Sequence, residues 1–179
     1  MFDVNRDRLV QTFTELVKIP SPSWKEDDVI RYIESFMKKR DIALEKYPCG
    51  DSYNLLARMK GDNHAIPVLF SCHMDTVTPC ENVKPVVTDK KITSDGTTIL
   101  GSDDKGALAG FLEAIDVLRE NDITHGPVEF LFSCAEEVGL YGMKGFDLSK
   151  VKSRYAFIFD SDGKVGNIIL KAPYHSTME

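Results

Sequence analysis

Three apolar stretches of the sequence each end in acidic residues or a histidine. They read "VLFSCHMD" at 68–75, "EFLFSCAEE" at 129–137 and "YAFIFD" at 155–160. Each has the length and apolar character of a strand buried in a sheet. In open α/β sheets, ligands bind outside the carboxyl ends of the strands. We therefore expect the polar residues that follow these strands to meet at one edge of one sheet.

Segments with helical periodicity alternate with the apolar strands. Apolar residues recur at helical spacing over 5–18 and again over 104–121. Between these two segments, Ser23 and Glu26 have the spacing of a capping box, which predicts a second helix that runs to about Arg40. Three amphipathic helices are therefore expected.

Further strands are expected over 42–48 and 53–59, and a last apolar strand over 166–171. Long apolar strands that alternate with amphipathic helices are typical of an α/β fold. The sequence thus predicts a three-layer αβα architecture with a largely parallel central sheet.

Length and charge exclude several classes of protein. The 179 residues suit one domain, and the net charge of −6 argues against nucleic acid or an anionic membrane surface as partner. No apolar run reaches the length of a membrane span, and the N-terminus lacks the pattern of a signal peptide. The four cysteines form no C-x-x-C pair, which favours a reducing compartment, and the cytoplasm is the expected location.

The expected sheet edge gathers an unusual number of acidic groups. A fourth segment, "GSDDKG" at 101–106, opens the third helix and adds two more carboxylates. The residues brought together are His73, Asp75, Asp103, Asp104, Glu136, Glu137 and Asp160. Six carboxylates cannot share a small volume unpaired, because like charges raise one another's pKa. A divalent cation resolves this conflict, and two cations resolve it better.

Taken together, these motifs resemble those of the M20 metallopeptidase family, and most closely its peptidase T-like branch. The matching segments occur in the family's order over essentially the whole chain: "SCHMDTV" at 71–77, "ILGSDDKGALAG" at 99–110, "FSCAEEVGLYG" at 132–142 and "FIFDSDGKVG" at 157–166. The resemblance implies a zinc-dependent exopeptidase fold and two bound Zn2+ ions, with Co2+ or Mn2+ as alternatives. It also implies hydrolysis of peptide or N-acyl bonds.

The resemblance implies four metal ligands in this chain. His73 and Asp160 would bind the first zinc, Asp103 would bridge both ions, and Glu137 would bind the second zinc. These residue types fit the metal, because zinc accepts imidazole nitrogen and carboxylate oxygen.

Two further residues would serve catalysis. Glu136 would be the general base towards a hydroxide that bridges the metals. Asp75 would orient His73, since a ligating imidazole usually donates its other N–H to a carboxylate or a carbonyl. The family also joins the two acids at 103 and 104 by a cis peptide bond.

The family pattern is incomplete in this chain. The family supplies one more histidine to the second zinc and has a separate lid domain; His175 is a poor candidate for that ligand, because it follows a further expected strand. We therefore expect residues 1–172 to be the N-terminal half of a truncated catalytic domain, and 173–179 to begin the connection to an absent lid. An exposed edge strand would favour association, for example as a homodimer.

Three functions are consistent with the motifs. The first is an aminopeptidase that removes the N-terminal residue of short peptides such as tripeptides. The second is an N-acyl amino acid amidohydrolase or a dipeptidase of the same family. The third is a non-catalytic metal-binding remnant.

Overall fold

The computed structural model describes residues 3–161, 163–164 and 166–171. Its helices are α1 (Arg6–Val17), α2 (Asp27–Lys39), α3 (Ser102–Glu120) and the short α4 (Tyr141–Lys144), followed by a 3-10 turn at Leu148–Lys150. Its strands are β1 (Ala43–Cys49), β2 (Ser52–Met59), β3 (Val68–His73), β4 (Pro85–Val87), β5 (Ile92–Ser94), β6 (Val128–Ser133) and β7 (Tyr155–Ile158). From β3 onward, helices separate the strands of the main sheet along the chain in the order β3, α3, β6, α4, β7, which confirms the predicted α/β class.

The main sheet has five strands in the order β1-β2-β6-β3-β7, and β4 and β5 form a separate hairpin. Strands β6, β3 and β7 are parallel, whereas β1 and β2 add an antiparallel hairpin beside β6. The central sheet is therefore mixed, with its parallel part around β3. The antiparallel pair arises because only Gly50 and Asp51 separate β1 from β2, and a two-residue loop joins antiparallel neighbours.

The parallel register aligns the carboxyl ends of the strands that carry the polar motifs. His73 at the end of β3 is opposite Ser133 at the end of β6. On the other side of β3, Ser71 is opposite Ile158, and the backbone N–H of Phe159 donates to Ser71 O at 2.9 Å. The residues that follow all three strands consequently meet at one edge of the sheet, as the sequence predicts.

The main core lies between the sheet and the three long helices. Alternate strand residues face it, for example Leu55 and Phe132, and they meet fully buried helix residues such as Leu16 and Ile33. A smaller cluster on the opposite face contains Leu56, Leu69, Leu131 and Phe146. Period-two alternation along the strands explains this division of the apolar side chains.

Buried and half-buried ion pairs tie the helices to one another. Arg8 on α1 pairs with Glu113 on α3 at 2.6 Å, and Arg40 after α2 pairs with Asp116 on α3. Within the described residues, no helix combines the length and apolar character that crossing a bilayer requires.

Two predicted elements differ from the structure. The capping box is wrong: α2 begins at Asp27, and Ser23 makes no cap, because its hydroxyl donates to Asp75 Oδ2 at 2.6 Å instead. The prediction of a last strand over 166–171 is also wrong. The described residues of 166–171 adopt no strand, and Ile168, Ile169 and Leu170 are at least 64% exposed.

Candidate metal centre and active site

His73 ends β3 with its imidazole almost fully buried. Its Nδ1 lies 2.8 Å from the backbone carbonyl oxygen of Asp75 and 3.4 Å from the Asp75 carboxylate. A carbonyl oxygen only accepts, so this contact places a proton on Nδ1 and directs Nε2 towards the neighbouring carboxylates. Nε2 lies 2.9 Å from Asp103 Oδ1 and 3.9 Å from carboxylate oxygens of Glu136 and Asp160.

Asp103 and Asp104 both lie beside this imidazole. The peptide bond between them is cis, which confirms the expectation from the family resemblance, and both have non-helical backbone angles at the start of α3. Asp104 is buried, and its Oδ2 accepts a hydrogen bond from the backbone N–H of His73 at 3.3 Å. The Asp103 side chain is 70% exposed and faces the open side of the site.

The structure forms two groups of side chains with the spacing of metal ligands. One contains His73, Asp104 and Asp160, and the other contains His73, Asp103 and Glu137; within each group the ligand atoms lie within 4.8 Å of one another. The four expected ligands therefore come together, and their individual roles stay predictions. Asp104 belongs to one of these groups but is not among the four ligands expected from the family resemblance. Its position directly after Asp103 is the sequence signal that could have pointed to it.

Hydrogen bonding and burial shift the pKa values of the innermost groups. Burial alone would lower the pKa of His73, but hydrogen bonds to Asp75 and Asp103 raise it to about 10. Burial raises the pKa of Asp104 to about 8, and nearby Asp160 adds to this effect while His73 opposes it. Without a cation, these groups therefore hold protons more tightly than usual.

The pKa values of the outer carboxylates are also raised. Burial raises the pKa values of Glu136, Glu137 and Asp160. Asp160 adds to the rise at Glu136, and Asp103 adds to the rise at Glu137 and Asp160, whereas His73 lowers all three. The mutual repulsion expected from the sequence is thus present, and a divalent cation would relieve it.

The carboxylate of Asp75 fixes the loop that follows β6. It accepts hydrogen bonds from the backbone N–H groups of Glu136 at 3.0 Å and Glu137 at 3.1 Å, and from the Ser23 hydroxyl at 2.6 Å. Burial would raise its pKa, but these bonds and His73 lower it. The sequence predicted that Asp75 orients His73; the structure adds that Asp75 positions Glu136 and Glu137 through their backbone.

An open cavity of about 610 Å³ lies beside the candidate ligands. It is lined by Ser102, Asp103, Asp104, Ala107, Phe159, Asp160 and Ser161. This volume falls in the range of small-molecule sites, about 300–1,000 Å³. His175 and the predicted connection at 173–179 lie outside the described residues.

Comparison with known proteins agrees with this arrangement. A family model described as peptidase family M28 matches residues 54–172, more than half of the chain. The uncharacterized protein YqjE of Bacillus subtilis is 41% identical over 175 residues, which cover 95% of this chain and 47% of that protein.

Two solved structures share the fold over nearly the whole chain. Aminopeptidase PepT from Bacillus cereus has a TM-score of 0.88 at 37% identity, and a tripeptidase from Staphylococcus aureus has a TM-score of 0.87 at 34% identity. Each match covers 91% of this chain and 45% of the solved chain.

The chain therefore belongs to peptidase family M28, whose model matches more than half of it. The resemblance of its motifs to M20 peptidases of the peptidase T type is also confirmed. The chain is thus similar to both families: the matching model is that of M28, and the motifs are like those of M20. The chain spans about half the length of YqjE and of the two solved structures.

Proposed function

We propose that this chain carries the metal centre and the general base of a dizinc peptidase that removes the N-terminal residue from short peptides. The observation that carries the proposal is the convergence of two ligand groups on His73, with Glu136 beside them. The similarity to proteins titled aminopeptidase and tripeptidase supports the reaction and the substrate class. A cytoplasmic location is part of the same proposal.

The residues present fit one divalent ion and offer two carboxylate ligands to a second. Once deprotonated, His73 would offer Nε2 to an ion, because its Nδ1 keeps its proton on the Asp75 carbonyl. We assign His73 and Asp160 to the first ion, Asp103 to both ions and Glu137 to the second. This set of one imidazole and several carboxylates suits Zn2+, and Co2+ or Mn2+ could replace it.

When bound, the ions would polarise the scissile carbonyl group and lower the pKa of an attacking water molecule. We assign to Glu136 the role of accepting a proton from that water; its carboxylate lies 3.9 Å from His73 Nε2, which supports the assignment. Its raised pKa helps it to donate the same proton to the leaving amine. Asp75 holds the Glu136 backbone in place for this transfer.

We also propose that residues 1–172 are part of a larger catalytic domain, and that 173–179 connect it to a lid. The share of YqjE that the chain covers supports this proposal. So does the edge strand β7, which pairs only with β3 among the described strands and exposes Phe157 and Ile158. The remaining part of the domain would cover these side chains, whereas a homodimer would cover them by self-association.

The test uses the longest reading frame that contains this chain, purified and loaded with Zn2+. We expect hydrolysis of tripeptides in preference to dipeptides and N-acyl amino acids. Glu136→Ala should keep the metal and lose roughly 100-fold or more of turnover, since general bases contribute about 10²–10⁴-fold. Glu137→Ala should instead lose metal. Faster hydrolysis of N-acyl amino acids would favour the amidohydrolase, and metal binding without any hydrolysis would favour the non-catalytic alternative.

A further inference from the structure

We infer that Glu26 is a positioning residue of the candidate active site, and that it acts through the backbone of Ala135. Glu26 precedes α2 and is fully buried. Its Oε1 accepts two backbone hydrogen bonds, from Trp24 N at 3.0 Å and from Ala135 N at 3.0 Å. Ala135 comes directly before Glu136, so this contact reaches the catalytic loop from a segment 109 residues away in sequence.

Both residues that Glu26 binds have left-handed backbone conformations. Trp24 has φ of 71° and Ala135 has φ of 48°. Residues with a Cβ rarely adopt this region, because the side chain approaches the backbone too closely. Such conformations persist when the surrounding structure fixes them, and one shared acceptor fixes both turns here.

The loop after β6 is consequently held at three successive amides by two carboxylates. Glu26 binds the N–H of Ala135, while Asp75 binds the N–H groups of Glu136 and Glu137. With all three amides fixed, the directions in which the two glutamates leave the backbone are fixed as well. The Glu26 contact is the first of the three after the strand ends.

The segment around Glu26 also fixes the strand end that carries the histidine. Ser21 Oγ donates to Met74 O at 2.9 Å, and Thr76 N donates to Ser21 O at 2.9 Å. Ser23 Oγ binds the Asp75 carboxylate. The stretch 21–26 thus connects the "HMD" motif with the "AEE" motif, and Glu26 is its contact with the latter.

The two ligand groups depend on this contact to different degrees. Glu137 follows Ala135 by two residues, so the group that contains Glu137 depends on the turn. Asp104 lies on α3 and Asp160 follows β7, so neither position depends on the backbone at Ala135. Removing the Glu26 acceptor should therefore disturb the Glu137 group selectively. This expectation rests on the proposed metal centre.

The experiment combines hydrogen exchange with Co2+ titration of the chain in three variants. Glu26→Ala removes the acceptor, and Glu26→Gln keeps an oxygen at the same reach. Glu129→Ala is the matched control, because Glu129 is 3% exposed and also accepts backbone N–H bonds, from Lys152 and Ser153, far from the site. If Glu26→Ala does not fold, Glu26→Asp withdraws the carboxylate more gently.

In Glu26→Ala we expect faster exchange of the amides of 134–140 and about tenfold or more weaker binding of the second Co2+ ion, the scale typical of groups that orient ligands, with a changed visible spectrum at saturation. The affinity for the first Co2+ ion should change much less. Glu26→Gln should restore both, and Glu129→Ala should lower thermal stability without changing Co2+ affinity. Unchanged affinity for the second Co2+ ion in Glu26→Ala, or equal losses in Glu26→Gln, would overturn the inference. Failure of the wild-type chain to bind Co2+ would overturn the proposed function, whereas the exchange pattern would still show whether Glu26 holds the loop.

Discussion

The Nδ1 atom of His73 lies 2.8 Å from the backbone carbonyl oxygen of Asp75, two residues further along the chain. The H-x-D motif therefore orients its imidazole partly through the main chain. The Asp75 carboxylate, at 3.4 Å from the same nitrogen, is free to bind the amides of Glu136 and Glu137. One residue thus aligns the central candidate ligand and the loop that bears the candidate base.

Asp75→Asn should separate these two functions. The backbone carbonyl that orients His73 remains. The side-chain amide has only one oxygen, so it can accept from Glu136 N or Glu137 N but not from both, and one of those bonds is lost. In the longer protein we expect turnover to fall by about 10–100-fold, the range typical of residues that orient ligands, with affinity for the first metal changed much less. Steady-state kinetics and calorimetric metal titration measure the two effects. Loss of all metal binding would contradict this division of roles.

Asp103→Asn and Asp104→Asn distinguish the two adjacent acids. Asp103 is proposed to bind both ions, so Asp103→Asn should weaken every metal-binding event. Asp104 is buried and accepts from His73 N, and asparagine keeps an oxygen that can accept this bond. Asp104→Asn should therefore change the unfolding free energy by less than about 1 kcal/mol and leave zinc affinity nearly unchanged. Zinc titration and urea unfolding of both variants provide the comparison. Loss of the first zinc in Asp104→Asn alone would assign that ligand role to Asp104.

Metal affinity should rise with pH. A cation binds the deprotonated form of His73, whose pKa in the metal-free chain is about 10, and its charge favours the deprotonated form of neighbouring Asp104, whose pKa is about 8. Below these values the folded chain must release protons to bind metal, so binding strengthens as pH increases from 6 to 9. Calorimetric titrations in buffers of different ionisation heat count the released protons. A flat affinity over this range would contradict the shifted pKa values.

The same pKa values predict how the metal-free chain responds to pH. The folded pKa of Asp104 is raised from 3.8 to about 8, and that of His73 from 6.5 to about 10. The folded state then holds more protons than the unfolded state between each pair of values, so stability falls as pH rises through 4–8 and 6.5–10. Thermal unfolding followed with and without Zn2+ checks this, because bound metal should reverse the trend. A stability that increases over pH 6 to 9 without metal would disprove the assignment.

Local patterns in the sequence predicted the strand ends and the acids that follow them, because each motif is contiguous and the parallel register brings the ends together. They did not predict the partners of Ser23 and Glu26. The spacing of these two residues fits a capping box, yet their contacts are with Asp75 and Ala135, 52 and 109 residues away. Residues 166–171 show the opposite problem: the apolar pattern is present, but a strand also needs a neighbour, which local periodicity does not reveal.

Gly142→Ala should destabilise the chain next to the loop that follows β6. A Cβ at this position would lie 2.2 Å from Cys134 O and 2.7 Å from Asn54 Oδ1, so the backbone would have to shift. Overpacking of this kind costs about 1–3 kcal/mol. Gly110→Ala on α3 is the control, because its Cβ meets nothing within 4 Å and alanine favours the helix by about 0.5–1 kcal/mol. Urea unfolding gives both values, and stabilisation by Gly142→Ala would show that this contact is not tight.

The 179-residue chain alone should bind at most one Zn2+ tightly and show little or no peptidase activity. Both ligand groups use His73, which is the one histidine in either group among the described residues, and its Nε2 can bind a single ion. The other ion keeps Asp103 and Glu137, two carboxylates without an imidazole, so its affinity should be much lower. The proposed lid would orient the substrate, and orientation alone can supply roughly 7 kcal/mol of barrier lowering. Zinc titration of the metal-free chain, together with a tripeptide hydrolysis assay, tests both statements. Two equivalent tight sites, or hydrolysis at an ordinary enzymatic rate, would mean that a second copy of the chain completes the centre.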